Sequence, residues 1–294
     1  MRRNFIFQIL LLLFFALDAQ AFETNTDTLY YVIGKNDNLF KLATSFDVSV
    51  AEIQHANPQI SDINLIYAGA KLIMPTNHLL PDAKPEGIVI NLAEPRLYFF
   101  KDDSFMTFPI AVGKDNKTPT GHTKILSKKE NPSWIPPASI REEDPNLPEI
   151  VEAGPQNPLG KFALYLDASH NAKWQNIMIH GTNQPKSIGA NVSHGCMRLY
   201  PQDIEKLFAA VEIGTAVTIV DQKIKIFERE NKIFIEAHFS DNEDLEEQKI
   251  AARKILCQKI SSCESKINWN EFEETISLNL GIPVVVSLNE ENEK

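Results

Sequence analysis

Between Gly87 and Val220 the apolar residues arrive in short bursts: Ile88–Ile90, Leu97–Phe100, Phe108–Val112, Phe162–Leu166, Ile177–His180 and Val217–Val220. Turn formers close each burst, which is the pattern of strands rather than helices. Only Asp203–Val211 repeats at a helical spacing. Such a chain buries its apolar side chains by laying strands side by side, so 87–221 is predicted to be a mainly β domain, closed or sandwiched, with one helix. A Pro-rich stretch, Asn131–Pro158, interrupts the strands. A loop of that length inside a domain is usually functional or disordered.

The chain opens with Arg2-Arg3 and an apolar run from Phe5 to Leu17, broken only by Gln8; Ala19-Gln20-Ala21 then offers the small-x-small pattern of a signal-peptidase site. The run is 13 residues, short of the roughly 20 that a spanning helix needs. The expectation is a signal peptide over 1–21, export, and no membrane span after cleavage, because no later apolar run is long enough. Residue 22 is Phe, so an N-terminal lipidated cysteine is not expected. Net charge is −10, and −11 once the two Arg and one Asp of the leader are gone. That excess of acid argues against nucleic-acid binding by bulk electrostatics.

Residues 28–75 read as a compact strand–helix–helix–strand unit. Leu29–Ile33 alternates as a short strand, and Asn38 starts a helical pattern through Leu39, Leu42 and Ala43. Ser49 with Glu52 three residues later is a capping box for a second helix carrying Val50, Ile53 and Ala56. That helix stops at Asn57-Pro58, and Lys71–Met74 closes the unit as a strand. Residues 76–86, with Pro81 and Pro85 among polar neighbours, read as a flexible linker.

Residues 222–294 form an appendage of different texture. Ile224–Phe227 and Ile233–Ala237 suggest a hairpin turning across Glu228–Lys232. Residues 243–260 suggest a helix, and Asn270 with Glu273 would cap a second one carrying Phe272, Ile276 and Leu280. Val284–Val286 would be a last strand, and the role of 241–294 is left open. Cys257 and Cys263 lie six apart, about 9 Å along an unbroken helix. A disulfide needs Cα atoms within about 7 Å. A bridge there therefore requires a break, with Ser261-Ser262 the place for it, and the spacing leaves the pairing open. In either case Cys196 is the leftover thiol of three cysteines, and a free thiol in an oxidising compartment asks for a reason.

That thiol sits in the densest chemistry of the chain: His180-Gly181-Thr182, then Ser193-His194-Gly195-Cys196-Met197-Arg198. An imidazole can take the thiol proton and leave a nucleophilic thiolate. Gly on each side lets backbone approach a substrate closely, and successive N–H groups at Gly195 and Cys196 suit an oxyanion hole. Residue types alone leave three readings open: cysteine acyl transfer, a metal site built from His180, His194 and Cys196, and a structural Cys with two satisfied His.

Two resemblances narrow this. Residues 28–75 resemble a LysM module through Asp37-Asn38-Leu39, Ala43, Phe46–Ser49, Ile53, Asn57-Pro58, Ile66, Gly69, Leu72 and Met74-Pro75, with Asn38 where that family usually has Thr. By that resemblance the module binds N-acetylglucosamine-containing glycans such as peptidoglycan, near Asp37, Asn38, Leu39, Asn57 and Pro58. Residues 87–221 resemble the YkuD-like L,D-transpeptidase catalytic domain: His180-Gly181, about a dozen residues, then Ser193-His194-Gly195-Cys196 with Arg198 two places on. Val112-Gly113, Thr118–Gly121, Asn131–Trp134, Pro158–Gly160 and Asp203-Ile204 support it.

The implied fold is a YkuD-like β-sandwich or barrel, preceded by a small α+β (βααβ) LysM module and followed by an α-rich C-terminal appendage. The implied reaction is acyl transfer in the cell wall of the periplasm. Cys196 attacks a peptidoglycan stem tetrapeptide and D-Ala leaves. An amine on another stem or on an envelope protein then resolves the thioester. His180 would be the base, oriented by the Gly181 carbonyl, with His194 tuning the thiol and shaping the oxyanion pocket beside Gly195. Arg198, Ser193, Thr182 and Trp134 would contact substrate. The resemblance implies no metal and no organic cofactor, and it implies reaction with carbapenem-type β-lactams. A hydrolase using water at the same cysteine and a non-catalytic wall-binding protein are the alternatives.

Overall fold

The computed structural model describes residues 27–240 and 242–288, so the expected signal peptide, 1–21, lies outside the described residues. The chain first builds β1 (Leu29–Val32), α1 (Leu39–Ser45), α2 (Val50–Ala56) and β2 (Lys71–Met74). Strands β1 and β2 pair antiparallel, Leu29 opposite Met74. The helix starts follow from side-chain chemistry. Asn38 accepts from Lys41 N–H at 2.9 Å. Ser49 and Glu52 exchange the two bonds of a capping box at 3.1 and 2.6 Å, satisfying donors that would otherwise be orphaned. Leu39, Leu42, Val48, Ile53, Leu72 and Met74 form the small core between helices and strands.

The second unit contains β3 (Gly87–Asn91), β4 (Arg96–Lys101), β5 (Ser104–Pro109), β6 (Val112–Gly113), β7 (Gly121–Glu130), α3 (Ala138–Glu143), β8 (Phe162–Leu166), β9 (Met178–His180), β10 (Asn191–Ser193), β11 (Met197–Arg198), α4 (Pro201–Ala210) and β12 (Ala216–Val220). Eight strands make one sheet in the order β11-β9-β8-β7-β12-β3-β4-β5. The β12–β3 and β11–β9 pairs are parallel, and the others are antiparallel. A parallel ladder of β10 and β6 folds back on it, joined by the reciprocal backbone bonds of Ala111 and Arg198 at 2.9 Å. The domain is thus mainly β, as expected, in the form of one curled sheet. Helix α4 packs Ile204 and Leu207 into its core beside Ile179, Met197 and Leu199.

Two expectations change. The single strand expected over Phe108–Val112 is split, because Pro109 has no N–H to continue the β4 ladder. The longest strand, β7, was not anticipated: its ten residues are mostly exposed, and pairing to β8 and β12 holds it rather than apolar alternation.

The C-terminal unit adds β13 (Ile224–Arg229), β14 (Lys232–Ala237), α5 (Leu245–Lys259), α6 (Cys263–Lys266), α7 (Trp269–Leu278) and β15 (Val284–Val285). The β13–β14 hairpin turns on Glu230 and Asn231 alone, both at positive φ, the twist that matches flanking strands. Helix α7 is capped by Asn268 on Glu271 N–H, not by Asn270 with Glu273. The chain breaks between α5 and α6, and Cys257 and Cys263 are bridged with Cα atoms 5.2 Å apart. Ser262 turns there at φ 57°.

The expected flexible linker is instead a docked strap. Leu79 is 1% exposed. Its N–H donates to Glu236 at 2.5 Å, and its carbonyl accepts from Lys225 Nζ at 2.7 Å. Lys225 is fully buried between Glu94 and Glu236, at 2.5 and 2.8 Å. Burial is the largest influence and pushes both carboxyls up, but the Lys225 ammonium together with His238 and His78 holds them below the usual glutamate range. The first unit is pinned as well: buried Arg96 of β4 reaches Glu52 of α2, Nε–Oε1 3.0 Å, and Phe40 packs edge-on against Tyr200. Three sequence segments thereby meet around one set of buried charges.

Candidate active site

Strands β9 and β11 lie side by side with His180 opposite Arg198. Cys196 immediately precedes β11. Side chains alternate along a strand, so Cys196 and Arg198 share a face, with His180 their cross-strand neighbour. They line one cavity of about 470 Å³, closed on the other side by Trp134, Ile140 and Leu159. Trp134 and Ile140 come from the Pro-rich loop, which carries α3 and is pinned by the reciprocal Trp134–Val151 backbone bonds at 2.8 Å.

The electrostatics describe a resting, neutral pair. His180 is buried and its Nδ1–H donates to the Gly181 carbonyl at 2.6 Å. Burial, then the Arg198 charge, lower its pKa to about 4, although the carbonyl bonds resist. The ring is therefore neutral at pH 7, with Nε2 left as base. Burial raises the Cys196 thiol, and the Met178 backbone and Arg198 offset this in part. The thiol points its proton at the Asn176 carbonyl, 3.4 Å away. Arg198 Nε is buried with no hydrogen-bond partner among the described residues, leaving a donor unspent in the cavity wall.

The comparisons with known proteins agree. The model of the L,D-transpeptidase catalytic domain, YkuD, matches residues 85–219, and that of the LysM domain matches residues 31–75. Probable L,D-transpeptidase ErfK/SrfK of Escherichia coli K12 is 34% identical over 259 residues, which is 83% of this chain and 81% of that protein. The chain belongs to the L,D-transpeptidase family. Two further probable L,D-transpeptidases of the same organism are similar: YbiS at 38% identity (70% of this chain, 67% of that one) and YcfS at 39% (64% and 60%). The aligned region thus spans 60% of YcfS and about two thirds of YbiS.

In this member of the L,D-transpeptidase family the loop that carries Cys196 is braced by its own serine. Ser193 is buried. Its Oγ accepts from Gly195 N–H at 3.0 Å and donates to the Cys196 carbonyl at 2.6 Å. Two expectations are corrected by that geometry. The Gly195 N–H is already taken and is not offered to an oxyanion, and the Ser193 hydroxyl is spent on the loop rather than on substrate. Gly195 itself sits at φ 124°, and a Cβ there would meet Ile177 at 2.7 Å and the Lys117 carbonyl at 2.9 Å, so only Gly fits. Thr182 is corrected too: it is buried beyond the end of β9, its Oγ1 accepts from Gln184 N–H at 2.9 Å, and it does not line the cavity.

His194 lines the cavity but turns Nε2 toward Glu143 of α3, at 2.9 Å. The metal reading of His180, His194 and Cys196 finds no geometric support: the trio is not among the groups of described residues that bring three ligand atoms within 4.8 Å. In the LysM domain, Asp37 accepts from Tyr31 Oη and Gly34 N–H, and Asn38 caps α1. Leu39 and Asn57 are 1% exposed, and the Asn57 amide is fully used on Ile53 and Ile73. These two side chains build the module and do not face a ligand, while Pro58 is exposed.

Sequence reasoning missed Glu143, Asn176 and Tyr165. Glu143 stands in an ordinary charged run, Arg141–Asp144. Asn176 acts through its carbonyl, which no side-chain pattern reveals. Tyr165 lines the cavity beside Cys196, but it stands within the apolar run of β8 and its sequence context does not mark it.

Proposed function

We propose that this protein is an exported cysteine L,D-transpeptidase of peptidoglycan, acting in the periplasm. The unpartnered Arg198 Nε, in the same cavity wall as Cys196 and His180, carries the reading. An unpaired buried guanidinium nitrogen favours an anionic ligand, and the end of a stem tetrapeptide supplies a carboxylate.

His180 Nε2 takes the Cys196 thiol proton as sulfur attacks the carbonyl of the third stem residue. The developing oxyanion is received by the Cys196 N–H, since Gly195 N–H is engaged. The bond to D-Ala then breaks, its nitrogen takes the proton from the imidazolium, and a thioester remains. An amine attacks that thioester, gives its extra proton to His180, and leaves as an amide while sulfur recovers a proton. The acceptor is a second stem, giving a 3→3 cross-link, or an amine of an envelope protein. The thiol and imidazole begin neutral, so proton transfer accompanies attack rather than preceding it. Trp134 and the loop that carries it restrict water access to the thioester. The LysM domain holds glycan while the cysteine works.

Intact-protein mass spectrometry with a disaccharide-tetrapeptide, with and without an amine acceptor, tests the reading beside Cys196→Ala. The expected result is a thioester on the unsubstituted protein alone, released D-Ala and a cross-linked product. Tripeptide as sole product would make it a carboxypeptidase. Absence of adduct and turnover in folded protein would leave only wall binding.

A further inference from the structure

Away from the cysteine cavity, two hollows of about 650 and 560 Å³ adjoin along the junction of the LysM domain, the catalytic sheet and the C-terminal unit, sharing His55, Ser240 and Glu243 in their walls. Joined, they make one groove. It starts at Gln54 and Pro58, at the end of α2, and finishes at Gly113, Thr118 and Asn191. Its outer wall is the C-terminal unit, through Phe239, Ser240 and Leu278. None of Asp37, Asn38 and Leu39 lines it.

The far end is close to the chemistry. Thr118 Oγ1 accepts from Gly113 N–H at 2.8 Å and donates to the Gly195 carbonyl at 2.9 Å, so the groove floor is bonded to the cysteine loop. Asn191 of β10 lines the groove, and Ser193, two residues along the same strand, lines the cysteine cavity. Two strand residues span about 7 Å. An extended peptide of three residues reaches about 10 Å.

The lining also has a definite character. Gln54, Asn116, Asn191 and Ser240 offer neutral donors and acceptors, and Pro58 and Pro95 offer flat apolar surface. Lys223 and Glu243 close on each other at 2.6 Å, and Asp221 is the remaining carboxylate of the walls, an acceptor for hydroxyl groups. Such a surface suits a neutral polymer rich in hydroxyl and amide groups.

We propose that this groove is a track for an N-acetylated glycan strand, whose attached stem peptide crosses β10 to reach Cys196. It rests on the peptidoglycan reading above and deepens it. The C-terminal unit becomes one wall of the substrate site, and the enzyme is fitted to polymeric substrate rather than to free stem peptides.

The test uses the full chain with Ala51→Trp, from the α2 wall that Ala51 lines beside Gln54 and His55, and Ser240→Trp, from the C-terminal wall. Both variants are expected to release D-Ala from a soluble disaccharide-tetrapeptide within twofold of the unsubstituted rate. On intact sacculi, both binding and D-Ala release are expected to fall at least tenfold. Independently, a peptide-free glycan oligomer added to the unsubstituted protein is expected to shift the amide NMR signals of Gln54, Asn191 and Ser240. Unchanged turnover of sacculi by both variants overturns the proposal. So do glycan-induced shifts confined to Asp37–Leu39 and their surroundings, or shifts produced by a free stem peptide and not by the glycan. If the unsubstituted protein fails to release D-Ala from the soluble substrate, the transpeptidase reading fails instead, and the glycan shifts still decide the groove.

Discussion

Glu143 and His194 are joined across the mouth of the cysteine cavity: the carboxylate at the end of α3 accepts at 2.9 Å from the imidazole Nε2 of His194, two residues before Cys196. Lys114 flanks the same carboxylate at 3.8 Å. The Pro-rich loop is thereby latched to the segment carrying Cys196.

The latch has a pH sign. The His194 hydrogen bond holds the Glu143 carboxyl below the usual glutamate range. A carboxylate with a depressed folded pKa contributes above its unfolded value, about 4.3, and the contribution is lost as pH falls through the lower folded value. Limited proteolysis within 131–158 is expected to stay slow at neutral pH and to quicken in acid. Glu143→Gln is expected to show the quick pattern already at pH 7, with KM for a tetrapeptide raised severalfold and Cys196 still alkylated. Identical digestion of both proteins across the range would remove the latch.

Arg198 acts on both His180 and Cys196. Its charge is the second cause, after burial, that brings His180 down to about 4, and it works against the burial that raises Cys196. Arg198→Met should therefore move the His180 titration upward by NMR and the alkylation profile of Cys196 to higher pH, with loss of turnover. Opposite or absent shifts would show that the guanidinium does not set these protonation states.

Asp203 is a buried carboxyl whose Oδ2 has no partner among the described residues, and burial raises its pKa to about 6. A carboxyl raised above its unfolded value of about 3.9 penalises the fold increasingly as pH climbs through 4 to 6. Asp203→Asn is expected to stabilise the protein by about 1–2 kcal/mol at pH 8 and by little at about pH 3.5, below both pKa values. Urea unfolding at the two pH values checks this, and equal effects would mean the charge is not the cause.

Lys225 bridges Glu94 and Glu236 and offsets part of their charge, where all three side chains are sealed from water. Breaking such a cluster by removing one partner costs about 3–5 kcal/mol, because the remaining charges stay buried. Lys225→Met should lose that much in chemical denaturation, and adding Glu94→Gln with Glu236→Gln should recover a good part. No recovery would place the loss in packing.

Much of this architecture is legible in the sequence wherever burial and periodicity coincide. Strands β3, β4 and β8 carry near-continuous apolar runs because the curled sheet covers them, and Ser49 with Glu52 announces α2 through bonds within four residues. The cysteine, its histidine and Arg198 stand out because spacing along the chain maps onto two neighbouring strands. Strand β7 escapes because its neighbours, and not its own side chains, make it a strand. The strap at 76–86 reads as loose because its anchors, Lys225 and Glu236, lie about 150 residues on. The duties of Ser193 and the Gly195 N–H are settled by hydrogen-bond competition inside one tight turn, and residue types do not encode the winner.

The docked strap bears on how the protein would work on a wall. A tether of free residues lets a tethered domain sample many distances, and the effective concentration it creates falls off gradually with length. Here Arg96 on Glu52 and Leu79 between Glu236 and Lys225 remove that freedom. On the proposed glycan track, the span between a sugar foothold on α2 and the sulfur of Cys196 becomes a constant of the molecule, like the jaw setting of a caliper. A stem at the matching pitch along its strand is within reach, and one displaced by a sugar or two is not.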